Sequence, residues 1–102
     1  MLLRDILYKV SIRSVSGSTD IEVKDIQIDS RKVQPGTLFI AIKGAAADGH
    51  QFIEKAIESG AAAVVSETVL EPREGITLLQ VENSAAAAGY IANNFLASHL
   101  QK

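Results

Sequence analysis

A chain of 102 residues holds enough sequence for one domain, and a hydrophobic content of 47% suffices for a single modest core. The formal net charge is -2, with 10 Lys and Arg scattered among 12 Asp and Glu, so no basic stripe faces a phosphate backbone and nucleic acid is a poor partner. Cysteine is absent, which removes disulfides, thiolate nucleophiles and Cys-ligated zinc or iron–sulfur chemistry.

The start, Met1-Leu2-Leu3-Arg4-Asp5, puts charge where a signal peptide needs its apolar core, and no apolar run reaches the ~18 residues of a membrane span. The expectation is a soluble, cytoplasmic chain with no membrane partner. Leu2, Leu3, Ile6, Leu7 and Val10 share one side of a short helix, which predicts an N-terminal lid lying on the core. Ser16 to Asp20 is a turn cluster. Ile21, Val23, Ile26 and Ile28 then alternate with a change of phase near Lys24-Asp25, as in a bulged strand or two short ones.

Leu38 to Ile42 is a continuous apolar run after the turn pair Pro35-Gly36, which predicts a strand covered on both faces and the best candidate for the central one. Asp48 with Gln51 reads as a capping box opening a helix whose buried stripe is Phe52, Ile53, Ala56 and Ile57, ended by Gly60. Ala62 to Val65 reads as the next strand, completing a right-handed βαβ unit with its strands parallel. After a loop at Pro72 and Gly75, Ile76 to Val81 reads as a last strand. Ser84 caps an Ala-rich helix with Ile91, Phe95 and Leu96 on its apolar side. The fold class is α/β, a single three-layer α/β/α domain over residues 1–102 with a small, mostly parallel sheet. Ligands of such sheets bind beyond the carboxyl ends of the strands, here residues 43–50 and, if its strand lies alongside, Asp29-Ser30-Arg31.

Gly44 to Gln51 has the two glycines of a phosphate-binding loop at the right spacing, but His50 and Gln51 stand where Lys and a hydroxyl residue are required. It is therefore no ATP-binding loop. It is either a small-residue loop suited to an anion or a plain tight connection. Asp29, Ser30 and His50 are the residue types of a hydrolase triad, yet no Gly-x-Ser-x-Gly elbow surrounds Ser30. The simpler reading has Asp29 bracing its turn, His50 as a polar packing residue and His99 solvated near the chain end. Arg31 is suited to a ligand phosphate or to a structural clamp with Asp29 or Asp48. Two distant His residues and dispersed carboxylates give no metal-ligand spacing, so no metal site is expected in this chain.

Asp29-Ser30-Arg31-Lys32-Val33, Pro35-Gly36, Leu38-Phe39-Ile40-Ala41 with Gly44, Asp48-Gly49-His50, Phe52-Ile53, and Ala56 with Gly60-Ala61-Ala62 form an ordered succession. That succession resembles the N-terminal domain of the Mur ligases MurE and MurF. The leading segment, Leu2-Leu3 and Ile6-Leu7 before Gly17 and the stretch from Ile21 to Ile28, is closer to MurE than to MurF.

The resemblance implies a three-domain parent that uses ATP and magnesium to convert the carboxylate of UDP-N-acetylmuramoyl-L-alanyl-D-glutamate to an acyl phosphate, which the amine of a diamino acid attacks. It implies further that the N-terminal domain holds the UDP end while central and C-terminal domains supply the chemistry. Carried over residue by residue, the uridine and diphosphate contacts fall on Ile28 and Ser30 and on Ala45, Ala46 and Ala47, supported by Asp29, Arg31, Gly44, Asp48, Gly49 and His50. Some relatives carry His-Gln in place of Ala45-Ala46, and alanine offers only backbone groups there. The competing reading is an interaction or regulatory module that has kept the fold without the ligand.

Overall fold

A computed structural model of the chain describes residues 1–44 and 48–100, with side chains to residue 98. Its strands are β1 (Ile12–Ser16), β2 (Asp25–Gln27), β3 (Thr37–Ile40), β4 (Ala63–Ser66) and β5 (Thr77–Val81). They form one sheet in the order β1-β5-β4-β3-β2. From β2 to β5 every neighbouring pair is parallel, and β1 alone runs antiparallel, beside β5. The helices are α1 (Leu3–Ile6), α2 (Ile53–Glu58) and α3 (Ser84–Leu100).

Strand alternation sends successive side chains to opposite faces, so β3, β4 and β5, apolar at nearly every position, build two cores at once. Leu38, Ile40, Ala63, Val65, Leu79 and Val81 meet Leu3, Ile6 and Leu7 of the amino-terminal segment and Ala87, Ile91 and Phe95 of α3. Phe39, Val64 and Leu78 face the other way, against Ile53 and Ala56 of α2 and Val33. Helices therefore cover both faces of a mostly parallel sheet, the expected α/β/α layering. The lid is held by Asn94 of α3, whose Nδ2 donates to the Ile6 and Tyr8 carbonyls at 2.8 and 2.7 Å and so caps the end of α1.

Several local expectations need correction. β1 was not expected, because Arg13, Ser14 and Val15 are all exposed and an edge strand of that kind carries no apolar alternation. β3 is an interior strand, but β4 holds the middle of the sheet. Leu96 is 57% exposed, since the stripe of α3 follows Ala87, Ile91 and Phe95 at steps of four and Leu96 lies one residue round the helix from it. Asn83 caps α3 by accepting from the Ala86 N–H at 2.9 Å, while Ser84 turns inward. Asp48 opens a 3-10 turn, Gly49–Phe52, before α2 begins, and it accepts from the His50 N–H, with Gln51 left exposed, so no capping box forms. Of the two forms expected for Ile21 to Ile28, the chain takes the divided one, a bridge between Leu2 and Glu22 and then β2.

Because β2 to β5 are parallel, their carboxyl ends collect on one rim. That rim carries residues 28–31 after β2, 41–44 and 48–50 after β3, Glu67 after β4 and Asn83-Ser84 after β5. The pairing of β2 with β3 brings the first two segments side by side.

Candidate functional site

Beyond the ends of β2 and β3 lies a cleft of about 600 Å³ lined by Ile28, Asp29, Ser30, Arg31, Ile42, Gly44, Gly49, Phe52 and Lys55. Two large apolar side chains stand open in its walls, Ile28 at 61% and Phe52 at 41% exposure. Phe52 is thus a cleft residue and not part of the buried stripe of α2. Phe52, read from sequence as a stripe residue, closes the Asp48 turn and lines the cleft instead, and Lys55, which no motif marked, joins it one turn on in α2.

The Asp29 turn is a local device. Asp29 Oδ1 accepts from the Arg31 N–H at 2.9 Å and from Arg31 Nε at 3.0 Å, and Oδ2 accepts from the outer guanidinium nitrogen at 2.9 Å. These hydrogen bonds, the side-chain ones foremost, hold the Asp29 carboxyl at about 2 against an ordinary 3.8. The Arg31 side chain is otherwise in solvent, at 80% exposure. Between them Ser30 is buried against the cleft. Its hydroxyl has no hydrogen-bond partner among the described residues, and no fully buried side-chain polar atom lacks one. The Ser30 oxygen therefore meets the solvent of the cleft, where it can both donate and accept.

The Asp48 turn repeats the same local geometry and then extends it. Asp48 Oδ1 accepts from the His50 N–H at 3.0 Å and lies 2.7 Å from His50 Nδ1. His50 Nε2 accepts from the Glu67 N–H at 2.8 Å. An accepting Nε2 carries no proton, so the neutral ring has its proton on Nδ1 and donates it to Asp48. Glu67 Oε2 in turn accepts from both the Ser84 N–H and its hydroxyl at 2.8 Å, and Ser84 Oγ accepts from the Lys43 N–H at 3.0 Å. The bonds from His50, backbone first, hold Asp48 below the usual carboxylate range, and those from Ser84, backbone first, do the same for Glu67. Gly49 is required by space. A Cβ there would stand 2.8 Å from the Ile42 nitrogen and 3.0 Å from its carbonyl oxygen, while the Gly49 N–H donates to that oxygen at 2.8 Å.

Of the residues singled out from sequence, Ile28, Asp29, Ser30, Arg31, Gly44 and Gly49 share the cleft. Asp48 and His50 stand behind it, bracing the loop. Ala45, Ala46 and Ala47 lie outside the described residues, as does the side chain of His99. No hydrolase triad assembles, because both ring nitrogens of His50 and both carboxylate oxygens of Asp29 are occupied by other partners. His50, which stands in the lysine position of a phosphate-binding loop, has its ring turned to Glu67. Among the described residues no three His, Asp or Glu side chains converge as metal ligands, and no helix is long and apolar enough to cross a membrane.

Residues 22–96 match the Mur ligase family, catalytic domain. The chain is 48% identical over 104 residues to the UDP-N-acetylmuramoyl-L-alanyl-D-glutamate--2,6-diaminopimelate ligase of Cytophaga hutchinsonii, covering 100% of this chain and 21% of that protein. It is 40% identical over 102 residues to the ligase of the same name from Clostridioides difficile, covering 100% and 21%. A crystal structure of MurF from Acinetobacter baumannii shares the fold with a TM-score of 0.77 at 22% identity, over 91% of this chain and 20% of that one. The MurF ligase of Thermotoga maritima in complex with ADP matches with a TM-score of 0.62 at 29% identity, over 74% and 17%. The chain spans about a fifth of the length of the curated relatives it matches.

Proposed function

The chain belongs to the Mur ligase family, and from that premise we propose that it holds the uridine diphosphate end of UDP-N-acetylmuramoyl-L-alanyl-D-glutamate for a MurE-type ligase of peptidoglycan precursor synthesis. The observation that carries this reading is the cleft at the ends of β2 and β3, which the Ser30 hydroxyl, without a hydrogen-bond partner among the described residues, shares with the open apolar side chains of Ile28 and Phe52. A planar uracil ring suits apolar walls with one group that both donates and accepts at its edge. Backbone groups of the loop from Gly44 through Ala45, Ala46 and Ala47 then serve the diphosphate, as loop N–H groups suit phosphate oxygens. Asp29 with Arg31 and Asp48 with His50 keep the two turns in shape.

On this reading the ATP- and magnesium-dependent activation of the substrate carboxylate, and attack by the diamino acid, belong to the remaining four-fifths of the length seen in the relatives. The partners of this segment are the nucleotide-sugar peptide and those further domains, in the cytoplasm. MurE is favoured over MurF because the relatives named as diaminopimelate ligases reach 48% identity, against 22 to 29% for the MurF structures.

The test is an NMR titration of the labelled chain with UDP, UMP and ADP. A segment making only part of the substrate contacts should bind UDP at ~0.1 to 1 mM, with uridine preferred over adenosine nucleotides and shifts centred on residues 28–31 and 43–50. Ser30→Ala removes one hydrogen bond to a neutral edge and should weaken UDP about two- to tenfold while shrinking that preference. Equal responses to UDP and ADP, or shifts confined to other surfaces, would overturn the uridine assignment in favour of an interaction module.

A further inference from the structure

Two turns of identical local design stand side by side on the rim, and they differ in one respect. In each, an Asp accepts from the backbone N–H two residues on and from that residue's side chain. At the first turn the side chain is Arg31, a donor only, and it ends in solvent. At the second it is His50, whose ring has an acceptor left over and spends it on the Glu67 N–H, 17 residues away in sequence at the end of β4. The turn itself does not need that second bond, as the Arg31 turn demonstrates.

The other end of the same loop is fastened to the same residue. Lys43 N–H donates to Ser84 Oγ, and Ser84 donates through both its N–H and its hydroxyl to the Glu67 carboxylate. Lys43 and Asp48 also face each other across a short antiparallel bridge. The two flanks of residues 45–47, at Lys43 and at His50, thus converge on Glu67, through its carboxylate on one side and its backbone on the other. The segment's own side chains cannot do this work, since three of them are methyl groups.

We propose that His50 and Glu67, with Ser84 bonded to the Glu67 carboxylate, are positioning residues that clamp residues 43 and 48 to the ends of β4 and α3 and so fix the chain on either side of residues 45–47. This rests on the uridine diphosphate reading for its consequence in binding, but the clamp itself is read without ligand. His50 is suited to the task because one neutral imidazole donates to Asp48 and accepts from Glu67 in the same plane. Glu67 is suited because its carboxylate accepts twice from Ser84 at the positive end of α3.

Paired substitutions separate positioning from mere stability. His50→Asn keeps a donor within reach of Asp48 and loses the acceptor for Glu67, while His50→Gln carries an oxygen out to the Nε2 position and can keep it. Glu67→Ala cuts the arm to Ser84. In the ligand-free chain, His50→Asn and Glu67→Ala should shift and speed hydrogen exchange at the amides of residues 43, 44, 48 and 49, with those of β1 unchanged. His50→Gln should restore the wild-type pattern. In a UDP titration the first two variants should bind about three- to tenfold more weakly and the Gln variant nearly as well as wild type. If wild type itself ignores UDP but the loop amides respond as described, the clamp stands and the uridine reading falls. If His50→Asn and His50→Gln behave alike while β1 and the thermal transition are unchanged, or if the loop amides of Glu67→Ala match wild type, the clamp is refuted. Should Glu67→Ala prove unfolded, the His50 pair decides alone.

Discussion

One chemical change, Gly to Ala, should have opposite effects at two glycines of this chain. Gly49 lies where the loop turns under the end of β3, and an added Cβ would meet the Ile42 nitrogen at 2.8 Å, the Ile42 oxygen at 3.0 Å and the Ala41 Cα at 3.2 Å. All three are backbone atoms of a segment hydrogen-bonded on both sides, so none can yield by rotating a side chain. Strain of that kind costs about 1 to 3 kcal/mol. Gly89 lies within α3, exposed, with nothing within 4 Å of the same added carbon. Alanine there gains the usual helical advantage over glycine, roughly 0.8 to 1 kcal/mol. In a domain of about 100 residues each kcal/mol moves the midpoint by roughly 4 to 8 °C. Gly89→Ala should therefore melt about 3 to 8 °C above wild type, and Gly49→Ala about 4 °C or more below it. Thermal unfolding followed by circular dichroism, checked by urea titration, reads both in a single cooperative transition. A Gly49→Ala variant as stable as wild type would show that the loop's close approach to β3 is not what the packing says. A destabilised Gly89→Ala would do the same for the placement of α3.

Two further outcomes are expected. The chain should show no magnesium-dependent ATP binding or hydrolysis, because His50 and Gln51 replace the lysine and hydroxyl of a phosphate-binding loop. Activity that copurifies through repeated steps and falls in Gly49→Ala would contradict this. The Asp29 carboxyl should titrate near pH 2, and Arg31→Ala should return it toward 3.8 by carbon NMR. Its folded value is depressed, so the pair's stabilisation is whole above pH 3.8 and is lost as pH falls through about 2. An unchanged midpoint in the variant would remove the Arg31 side chain as the cause, leaving only its backbone N–H.

The layers were legible because the interior strands are apolar on both faces. A run such as Leu38-Phe39-Ile40 can only sit between two helical layers, and the glycine and proline punctuation around it set the order of elements. What escaped were features decided by neighbours. β1 is a strand because β5 offers it an edge, and its own residues say nothing of it. Leu96 looked apolar enough to bury, yet the stripe of α3 had already been taken by Ala87, Ile91 and Phe95. Asn94 anchors the lid across 88 residues of sequence, a distance at which no local pattern speaks.

The rim shows the same division. Asp29-Ser30-Arg31 and Asp48-Gly49-His50 could be read as turns because an Asp that braces the backbone two residues on needs nothing but its own neighbourhood. That the two turns share one cleft depends on β2 lying beside β3, which a single sequence does not state. Glu67 and Ser84 carried no signal, since a glutamate after a strand and a serine at a helix start are each commonplace; only the order β5-β4-β3 brings both to the base of the loop. An alanine tract in a candidate ligand loop looks, by sequence, like a site that has been lost. On the proposed reading, a tract whose flanks at residues 43 and 48 are fixed from β4 and α3 has no need of polar side chains, because backbone N–H groups suit an anion. The identity of residues 45–47 then matters less than the geometry imposed on residues 43 and 48.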